Sequence, residues 1–293
     1  MTFAGDRRAS TAASMSKRKS KNEGSASKLW KLTSCSLSRV LLGEVINAIA
    51  GGGGLITFPL LMLVVGPMTA DATSAVAGFA SYPTAVWRTR NLLTGVLGSG
   101  WLWLLVIPSF LGGLIGALLL SHTGNRNFTE FVPWLVLLAT IIVALRPVLV
   151  RRREGGTLQP DLAQTLWPFA MAGIFVVALY GGYFGAGIGI LMIGTLTFIS
   201  PGEIRHVVAL KNFLNCWMRG VAVFVLVLDG SVDWKYGAPM AVGGLVGGYI
   251  GGIVSHRANR TVVRSIVIVI GLTVAVYYFW KLYNPAVIHV RGE

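Results

Sequence analysis

Four polar side chains interrupt an apolar stretch in the second half of the chain: Lys211, Asn212, Asn215 and Arg219. In a helix, Lys211, Asn215 and Arg219 would share one face, because they lie four residues apart. A cation inside an apolar span faces a cavity or a paired acid, or extends along the helix to the membrane surface. The two amides beside Lys211 favour the cavity, where a cation and amide groups would bind an anion.

Two glycine-rich stretches could supply backbone to the same site. Gly51 to Gly54 lies within an apolar run over 37–66, and Gly181 to Gly189 lies within another over 167–199. As straight helices these runs would reach ~45 and ~50 Å, whereas a hydrocarbon core is about 30 Å thick. Since glycine is also poor in helix interiors, both runs are predicted to break. Broken backbone at membrane depth lines a cavity, although glycines also serve close helix packing.

Helix N-termini at the two breaks would present free N–H groups and positive dipole ends, which suit an anion. Paired breaks at matching positions of a repeat are typical of a transporter's binding site. The candidate substrate-binding residues are the glycines and hydroxyls near the breaks and the polar cluster: Gly53, Gly54, Thr57, Thr73, Ser74, Gly187, Gly189, Lys211, Asn212 and Asn215. Each hydroxyl could instead bond to its own helix backbone. Glu44 and Arg219 are the candidate counter-ion or proton-coupling residues.

Composition defines the class of fold. Hydrophobic residues make up 54% of the chain and charged residues 12%, with a mean hydropathy of +0.68. Soluble domains usually carry about twice that charged fraction. Windows of about eighteen or more residues with almost no charge recur, which predicts an all-α polytopic integral membrane protein with about eight transmembrane helices. The lipid bilayer is therefore its expected surroundings.

Half of the net charge of +14 lies at the N-terminus, where residues 1–39 contain nine basic and two acidic side chains. Residues 1–36 are also rich in Ser, Ala and Gly, which predicts a disordered basic cytoplasmic tail. Such a tail sets topology through the positive-inside bias and contacts anionic lipid heads. No nucleic-acid partner is expected. The predicted location is the inner (cytoplasmic) membrane, with the N-terminus in the cytoplasm.

An internal repeat organises the remainder of the chain. Ser-His and Asn-Arg pairs at 121–122 and 125–126 recur at 255–256 and 259–260, about 135 residues later and after similar Gly-Gly motifs. The sequence predicts two four-span repeats whose first helices are broken by glycine. The predicted boundaries are transmembrane repeat 1 over 37–150, a linker over 151–164, transmembrane repeat 2 over 165–283 and a C-terminal tail over 284–293.

The relative orientation of the two repeats stays open. Four crossings in each half make the repeats parallel and put both termini in the cytoplasm. A re-entrant second break would instead invert the second half and bring Arg257, Arg260 and Arg264 to the cytoplasmic side, as the positive-inside bias prefers.

The sequence contains no motif typical of a catalytic or metal-binding site. Cys35 and Cys216 are the only cysteines, and the four histidines lack metal-ligand spacing. No phosphate-binding loop is present. We therefore expect no enzyme, no metal and no cofactor. An integral membrane enzyme, or an assembly partner of one, is the alternative class, and it would need acids or histidines clustered at one face.

The two broken stretches resemble a known family. Gly51-Gly52-Gly53-Gly54-Leu55-Ile56-Thr57-Phe58-Pro59 with Ala72-Thr73-Ser74 resembles the first-repeat motif of the TauE/SafE sulfite exporter family. The second half is similar to its second repeat, through Tyr183-Phe184-Gly185-Ala186-Gly187-Ile188-Gly189, Lys211-Asn212-Phe213-Leu214-Asn215 and Asp229-Gly230-Ser231-Val232-Asp233-Trp234. The resemblance covers roughly residues 37–283.

This resemblance implies a secondary transporter (permease) for a small anion such as sulfite, a sulfonate or a related organosulfur or carboxylate compound. The anion would bind between the two broken helices, with possible coupling to protons or another ion. Gly194 and Ala209-Leu210 depart from the family pattern, which bears on the particular substrate more than on the fold. A channel-like anion facilitator is the alternative within transport.

Overall fold

The computed structural model describes residues 54–62, 64–97, 100–151, 167–199, 204–254 and 260–283. These residues form eight helices, and the all-α prediction is confirmed. In chain order the helices are α1 (Gly54–Met62), α2 (Pro67–Leu97), α3 (Gly100–Arg151), α4 (Trp167–Tyr183), α5 (Ile188–Ile199), α6 (Ile204–Leu228), α7 (Trp234–Val254) and α8 (Arg260–Tyr283). Glu44, Gly53, nearly all of the predicted linker and both predicted tails lie outside the described residues.

Arg88 and Arg90, at which an apolar window of the sequence ends, lie inside α2, which continues to Leu97. The apolar windows over about 101–120 and 131–150 lie in α3 on either side of Gly124 (φ 71°, ψ 158°), where two helices meet at a kink. A Cβ at Gly124 would meet nothing within 4 Å. Its left-handed backbone, which glycine adopts without steric cost, is therefore what requires glycine at the bend.

The predicted break in the second half is confirmed. α4 ends at Tyr183 and α5 begins at Ile188. Between them, Gly185 and Gly187 adopt positive φ angles of 69° and 74°. The break is shorter than the glycine-rich stretch, because Gly181 and Gly189 at its two ends are helical.

Other glycines bring helices into close contact. On α3, a Cβ at Gly116 would overlap the carbonyl oxygen of Leu179 on α4. On α7, a Cβ at Gly248 would overlap the carbonyl oxygen of Ser81 on α2. Small residues allow this approach of helix backbones, and in lipid such packing is a main source of stability. Close packing is therefore the role of the glycines in the Gly-Gly motifs of α3 and α7.

One apolar core joins α3, α4, α5 and α6. It includes buried Leu105, Ala178, Met192 and Leu214, one from each helix. α2 packs against α6 and α7, while the second half of α3 packs against α8. This arrangement holds the α4–α5 break between α1, α2 and α6.

The exterior is apolar, as expected of a surface that faces lipid. Large hydrophobic side chains are exposed on most of the described helices, among them Trp87, Ile107, Phe169, Phe224, Val242 and Val276. Within the described residues, Leu102–Gly124 and His206–Leu228 are long and apolar enough to cross a bilayer, with mean hydropathies of 2.2 and 1.3. Patches this large are unusual on a soluble monomer, and a lipid environment accounts for them.

Candidate functional site

A cavity lies where the α4–α5 break meets α1, α2 and α6. The cavity is small: the space open to the centre of a water molecule is about 20 Å³, somewhat more than the roughly 10–15 Å³ that one bound water needs. The lining comes from four helices and the break: Gly54, Thr57, Asp71, Ser74, Gly78, Tyr82, Phe184, Gly185, Ala186, Ile188 and Arg219. The two regions that the sequence analysis selected as breaks therefore contribute to one cavity.

One helix begins at this cavity. Ile188 is the first residue of α5 and lines the cavity. Gly54, the first described residue of α1, lies beside the break, since a Cβ at Gly54 would lie 3.4 Å from the Cα of Ala186. The first turn of a helix carries the positive end of the helix dipole. The start of α5 therefore gives the cavity a preference for negative charge.

The break itself is held by hydrogen bonds to Tyr180. The Tyr180 hydroxyl donates to the Ala186 carbonyl at 2.8 Å. The backbone N–H groups of Phe184 and Gly185 donate to the Tyr180 carbonyl at 2.9 and 3.2 Å. These bonds satisfy backbone groups that helix geometry leaves unpaired, which is the condition for broken backbone within a membrane.

Arg219 reaches the cavity from α6 and lies against the break. Its side chain is only 7% exposed. A Cβ at Gly185 would overlap the Arg219 guanidinium, and the positive φ of Gly185 separately disfavours any other residue. Glycine at position 185 therefore gives the cation access to the cavity. Arg219, predicted as a coupling or counter-ion residue, is the described cation of the lining.

An acid faces the cavity from α2. Asp71 is 2% exposed, and its Oδ2 atom has no hydrogen-bond partner in the structure. Sequence reasoning missed Asp71, although the signal was present: an acid between Ala70 and Ala72, next to the predicted Thr73 and Ser74. With Glu44 outside the described residues, Asp71 is the acid that the lining contains.

The polar cluster on α6 is buried but only partly reaches the lining. Lys211 and Asn212 are 8% and 7% exposed, so Lys211 does not extend to the surface. Asn215 is fully buried and donates from Nδ2 to the hydroxyl of Tyr82, a lining residue on α2, at 3.4 Å. Its Oδ1 has no partner. The cluster thus meets the cavity through Arg219 and, one step behind the lining, through Asn215.

The predicted hydroxyl residues have different positions. Thr57 lines the cavity and is fully buried. Ser74 also lines it, and its hydroxyl donates to the Asp71 carbonyl at 2.9 Å, the bond to its own helix named as the alternative. Thr73 lies outside the lining, where its Oγ1 accepts a bond from the Asp233 N–H at 3.0 Å. Thr73 therefore joins α2 to the start of α7.

The two predicted glycines of the second break also lie outside the lining. Gly187 faces α3, where an added Cβ would lie 3.6 Å from the Ala139 carbonyl oxygen. Gly189 continues the first turn of α5. The residue that faces the cavity with a glycine-dependent contact is Gly185, which the sequence analysis included in the break but not among the binding residues.

Aromatic rings close the cavity behind Phe184. The Phe184 ring contacts Phe58 of α1 with centroids 5.0 Å apart and Phe128 of α3 with centroids 6.4 Å apart. All three side chains are at most 1% exposed. Pattern reasoning could not find this cluster, because its rings come from three elements far apart in the chain.

These features define an all-helical membrane protein with a buried, charged cavity beside a broken helix. The family model for Sulfite exporter TauE/SafE matches residues 37–278, and the chain belongs to this family. The family prediction and the assignment to membrane transport are confirmed.

Relatives whose printed names describe probable membrane transporter proteins align along most of their length. A probable membrane transporter protein of Haemophilus influenzae is 30% identical over 243 residues, covering 78% of this chain and 88% of the relative. The probable membrane transporter protein YfcA of Escherichia coli is 23% identical over 258 residues, covering 86% and 91%. A probable membrane transporter protein of Xylella fastidiosa is 28% identical over 264 residues, covering 82% and 92%. No solved structure matches the chain.

Proposed function

We propose that this protein is a secondary transporter for a small anion, with sulfite, sulfonates and related organosulfur or carboxylate compounds as the substrate class. The observation that carries the proposal is that the buried cation Arg219 lines a cavity at which the helix α5 begins, at Ile188. Each of these features stabilises negative charge. The family description supports such a substrate, and the printed names of the relatives support membrane transport.

The chemistry of the lining suits an oxyanion. A guanidinium presents planar, paired N–H donors that match sulfonate, sulfite or carboxylate oxygens. Thr57 and Tyr82 also line this cavity and add hydroxyl groups to it. Arg219 is buried there, so an anion that loses its water on entry would regain hydrogen bonds from the guanidinium. The small volume favours a compact anion over a long one.

The surroundings of the site fit a permease rather than an enzyme. We propose an inner-membrane location with the N-terminus in the cytoplasm, based on the basic residues of 1–39. The described cavity pairs one acid, Asp71, with Arg219 and hydroxyl groups, a set better suited to holding an anion than to cleaving one. Transport would use an ion or substrate gradient, without nucleotide hydrolysis.

Counterflow in proteoliposomes tests this proposal. Vesicles with the purified full chain are loaded with unlabelled anion, and entry of radiolabelled sulfite, methanesulfonate, sulfoacetate or acetate is followed. We expect saturable entry of at least one sulfur oxyanion that trans anion accelerates. Entry that neither saturates nor responds to trans anion would indicate a channel-like facilitator. Absence of flux for the whole panel would contradict anion transport.

Two variants assign the roles of the basic residues in that assay. Arg219→Gln removes the lining cation and should abolish counterflow. Lys211 is also a predicted substrate-binding residue, but it lies outside the described lining. Lys211→Ala should therefore reduce counterflow less than Arg219→Gln does. Wild-type counterflow of every panel anion by Lys211→Ala would remove that lysine from the binding residues. Asp229→Asn, at the exposed end of α6, serves as the matched control for a change of surface charge.

A further inference from the structure

Asp71 is a buried acid with an unsatisfied oxygen, and it lines the same cavity as Arg219. Both residues line the cavity, Asp71 from α2 and Arg219 from α6. Asp71 is 2% exposed, and its Oδ2 atom lacks a hydrogen-bond partner. Burying an ionised carboxylate without a partner on one oxygen is costly. A proton on that oxygen removes the charge and supplies a donor directed at the cavity.

The charge balance in the cavity makes the protonation state of Asp71 depend on whether an anion is bound. When Asp71 is ionised, its charge and that of Arg219 cancel, and an entering anion would leave a net negative charge in a buried space. When Asp71 is protonated, Arg219 leaves one positive charge, which a monovalent anion neutralises. Since uncompensated charge is strongly disfavoured in a low-dielectric interior, anion binding and protonation of Asp71 should favour each other.

The neighbouring titratable groups leave Asp71 as the group that changes charge. Tyr82 lines the cavity from α2, and Tyr180 of α4 lies near enough to interact electrostatically with both charges. Tyrosines ordinarily titrate only near pH ~10, and the Tyr180 hydroxyl already donates to Ala186. On α6, Lys211 and Cys216 lie outside the lining. The lining residues of α1, Gly54 and Thr57, carry no titratable side chain.

The charged side chains of the other helices that pack against α2 lie away from Asp71. Asp233 and Lys235, at the start of α7, lie on the side of α2 that carries Thr73. That side is about 200° around the helix from Asp71 at 3.6 residues per turn. On α3, His122 and Glu130 are exposed. Arg219 is thus the charged group that shares the cavity with Asp71 among the residues described.

We infer that Asp71 is the proton-binding residue of this transporter, so that one proton and one monovalent anion cross together. The proton comes from water on the side where the anion enters, adds to the Asp71 carboxylate as the anion binds at Arg219, and leaves with the anion on the other side. This inference rests on the proposed function, and it assigns to Asp71 the coupling role that sequence reasoning gave to Glu44.

Titration calorimetry of the purified full chain with methanesulfonate tests the linkage. Methanesulfonate is the anion of a strong acid and does not itself titrate, so proton uptake must come from the protein. The binding heat is measured in two buffers with different ionisation enthalpies, at a series of pH values from neutral to alkaline. Proton uptake by the wild type and by Asp229→Asn should rise with pH and approach one per anion where Asp71 of the free protein is ionised, whereas Asp71→Asn should show none. Wild-type binding without proton uptake at every pH, or uptake retained by Asp71→Asn, would overturn the inference.

Proteoliposomes separate this inference from the proposed function. The wild type should perform methanesulfonate counterflow and should also accumulate the anion when the lumen is more alkaline than the medium. In Asp71→Asn the ratio of gradient-driven accumulation to counterflow should fall at least tenfold, whereas Asp71→Glu should recover part of that ratio. Counterflow without pH-driven accumulation in the wild type overturns the proton role alone. Absence of counterflow for every panel anion overturns both.

Discussion

α2 and α6 both line the cavity and contribute side chains of opposite charge. α2 supplies the acid Asp71 with the hydroxyls of Ser74 and Tyr82, whereas α6 supplies the cation Arg219. At the offset of the predicted repeat, Asp71 would match His206, and Arg219 would match Thr84. His206 is exposed, and the Thr84 hydroxyl bonds to the Ser81 carbonyl of its own helix. If the two halves arose by duplication, their helices are repeated but their charged cavity residues are not, since the acid lies on α2 and the cation on α6.

The largest expected effect comes from removing the α6 charge. Arg219→Gln should weaken methanesulfonate binding by about 30-fold or more, because losing one member of a buried charge pair costs ~2–5 kcal/mol. Arg219→Lys keeps the charge but loses the planar pair of donors, and we expect an intermediate affinity. Titration calorimetry measures both constants. Equal affinities for wild type and Arg219→Gln would mean that α6 does not supply the anion-binding charge.

The next effect concerns the break that separates the two sides. Gly185→Ala places a methyl group where the Arg219 guanidinium lies and forces alanine into left-handed backbone. The backbone strain alone costs ~1–2 kcal/mol, and displacement of Arg219 should reduce counterflow about tenfold or more.

Gly194→Ala is the matched control for that change. Gly194 lies within α5, and an added Cβ there would meet nothing within 4 Å. Its counterflow should stay close to that of the wild type, since alanine is favoured over glycine in a helix. If both glycine variants lost activity equally, close packing at Gly185 would not explain the result.

A smaller effect distinguishes structural from binding hydroxyls on α2. Thr73→Val removes the acceptor of the Asp233 N–H, which should cost about 1 kcal/mol. We expect a thermal unfolding midpoint lower by roughly 2–4 °C, while anion affinity changes less than twofold. Thr73→Ser retains the acceptor and should behave as the wild type. A large loss of affinity with unchanged unfolding would return Thr73 to the binding residues.

The smallest effect tests the link between α2 and α6. Tyr82→Phe removes the hydroxyl that accepts a bond from Asn215 and also lines the cavity. The bond is long at 3.4 Å, so its loss should weaken anion binding only about two- to fivefold, within the net value of one hydrogen bond. Binding affinity and counterflow measured side by side would detect this change. A loss as large as that of Arg219→Gln would make Tyr82 a principal anion ligand.

Much of the fold followed from local sequence features. Apolar windows predicted the helices, and the start of α6 at Ile204 and the end of α8 at Tyr283 lie within a few residues of expectation. Polar residues over 121–127 separate two apolar windows, and the kink lies among them at Gly124, whose positive φ suits glycine. α2 extends past Arg90 because charged side chains at a membrane surface do not themselves end a helix.

The candidate site was only partly predictable. The breaks were found because glycine clusters and excess span length both signal them. The shared face of Asn215 and Arg219 followed from helical spacing. Asp71 was missed, because a single acid near the start of a span is as typical of a residue exposed at the membrane surface as of a residue in a buried site. Thr73 was selected for its hydroxyl, yet its rotation on α2 directs it to α7 rather than to the cavity.

The sequence by itself determined that this chain is a helical membrane protein of the TauE/SafE family, broken where its glycines cluster and carrying polar groups on one face of α6. Those features depend on composition and on spacing within one element. The tertiary structure decided that Arg219 lies against Gly185, that Asp71 lines the same cavity, and that Thr73 and Gly187 lie outside its lining. These contacts depend on how helices rotate and pack against one another, which periodicity within a single helix does not specify.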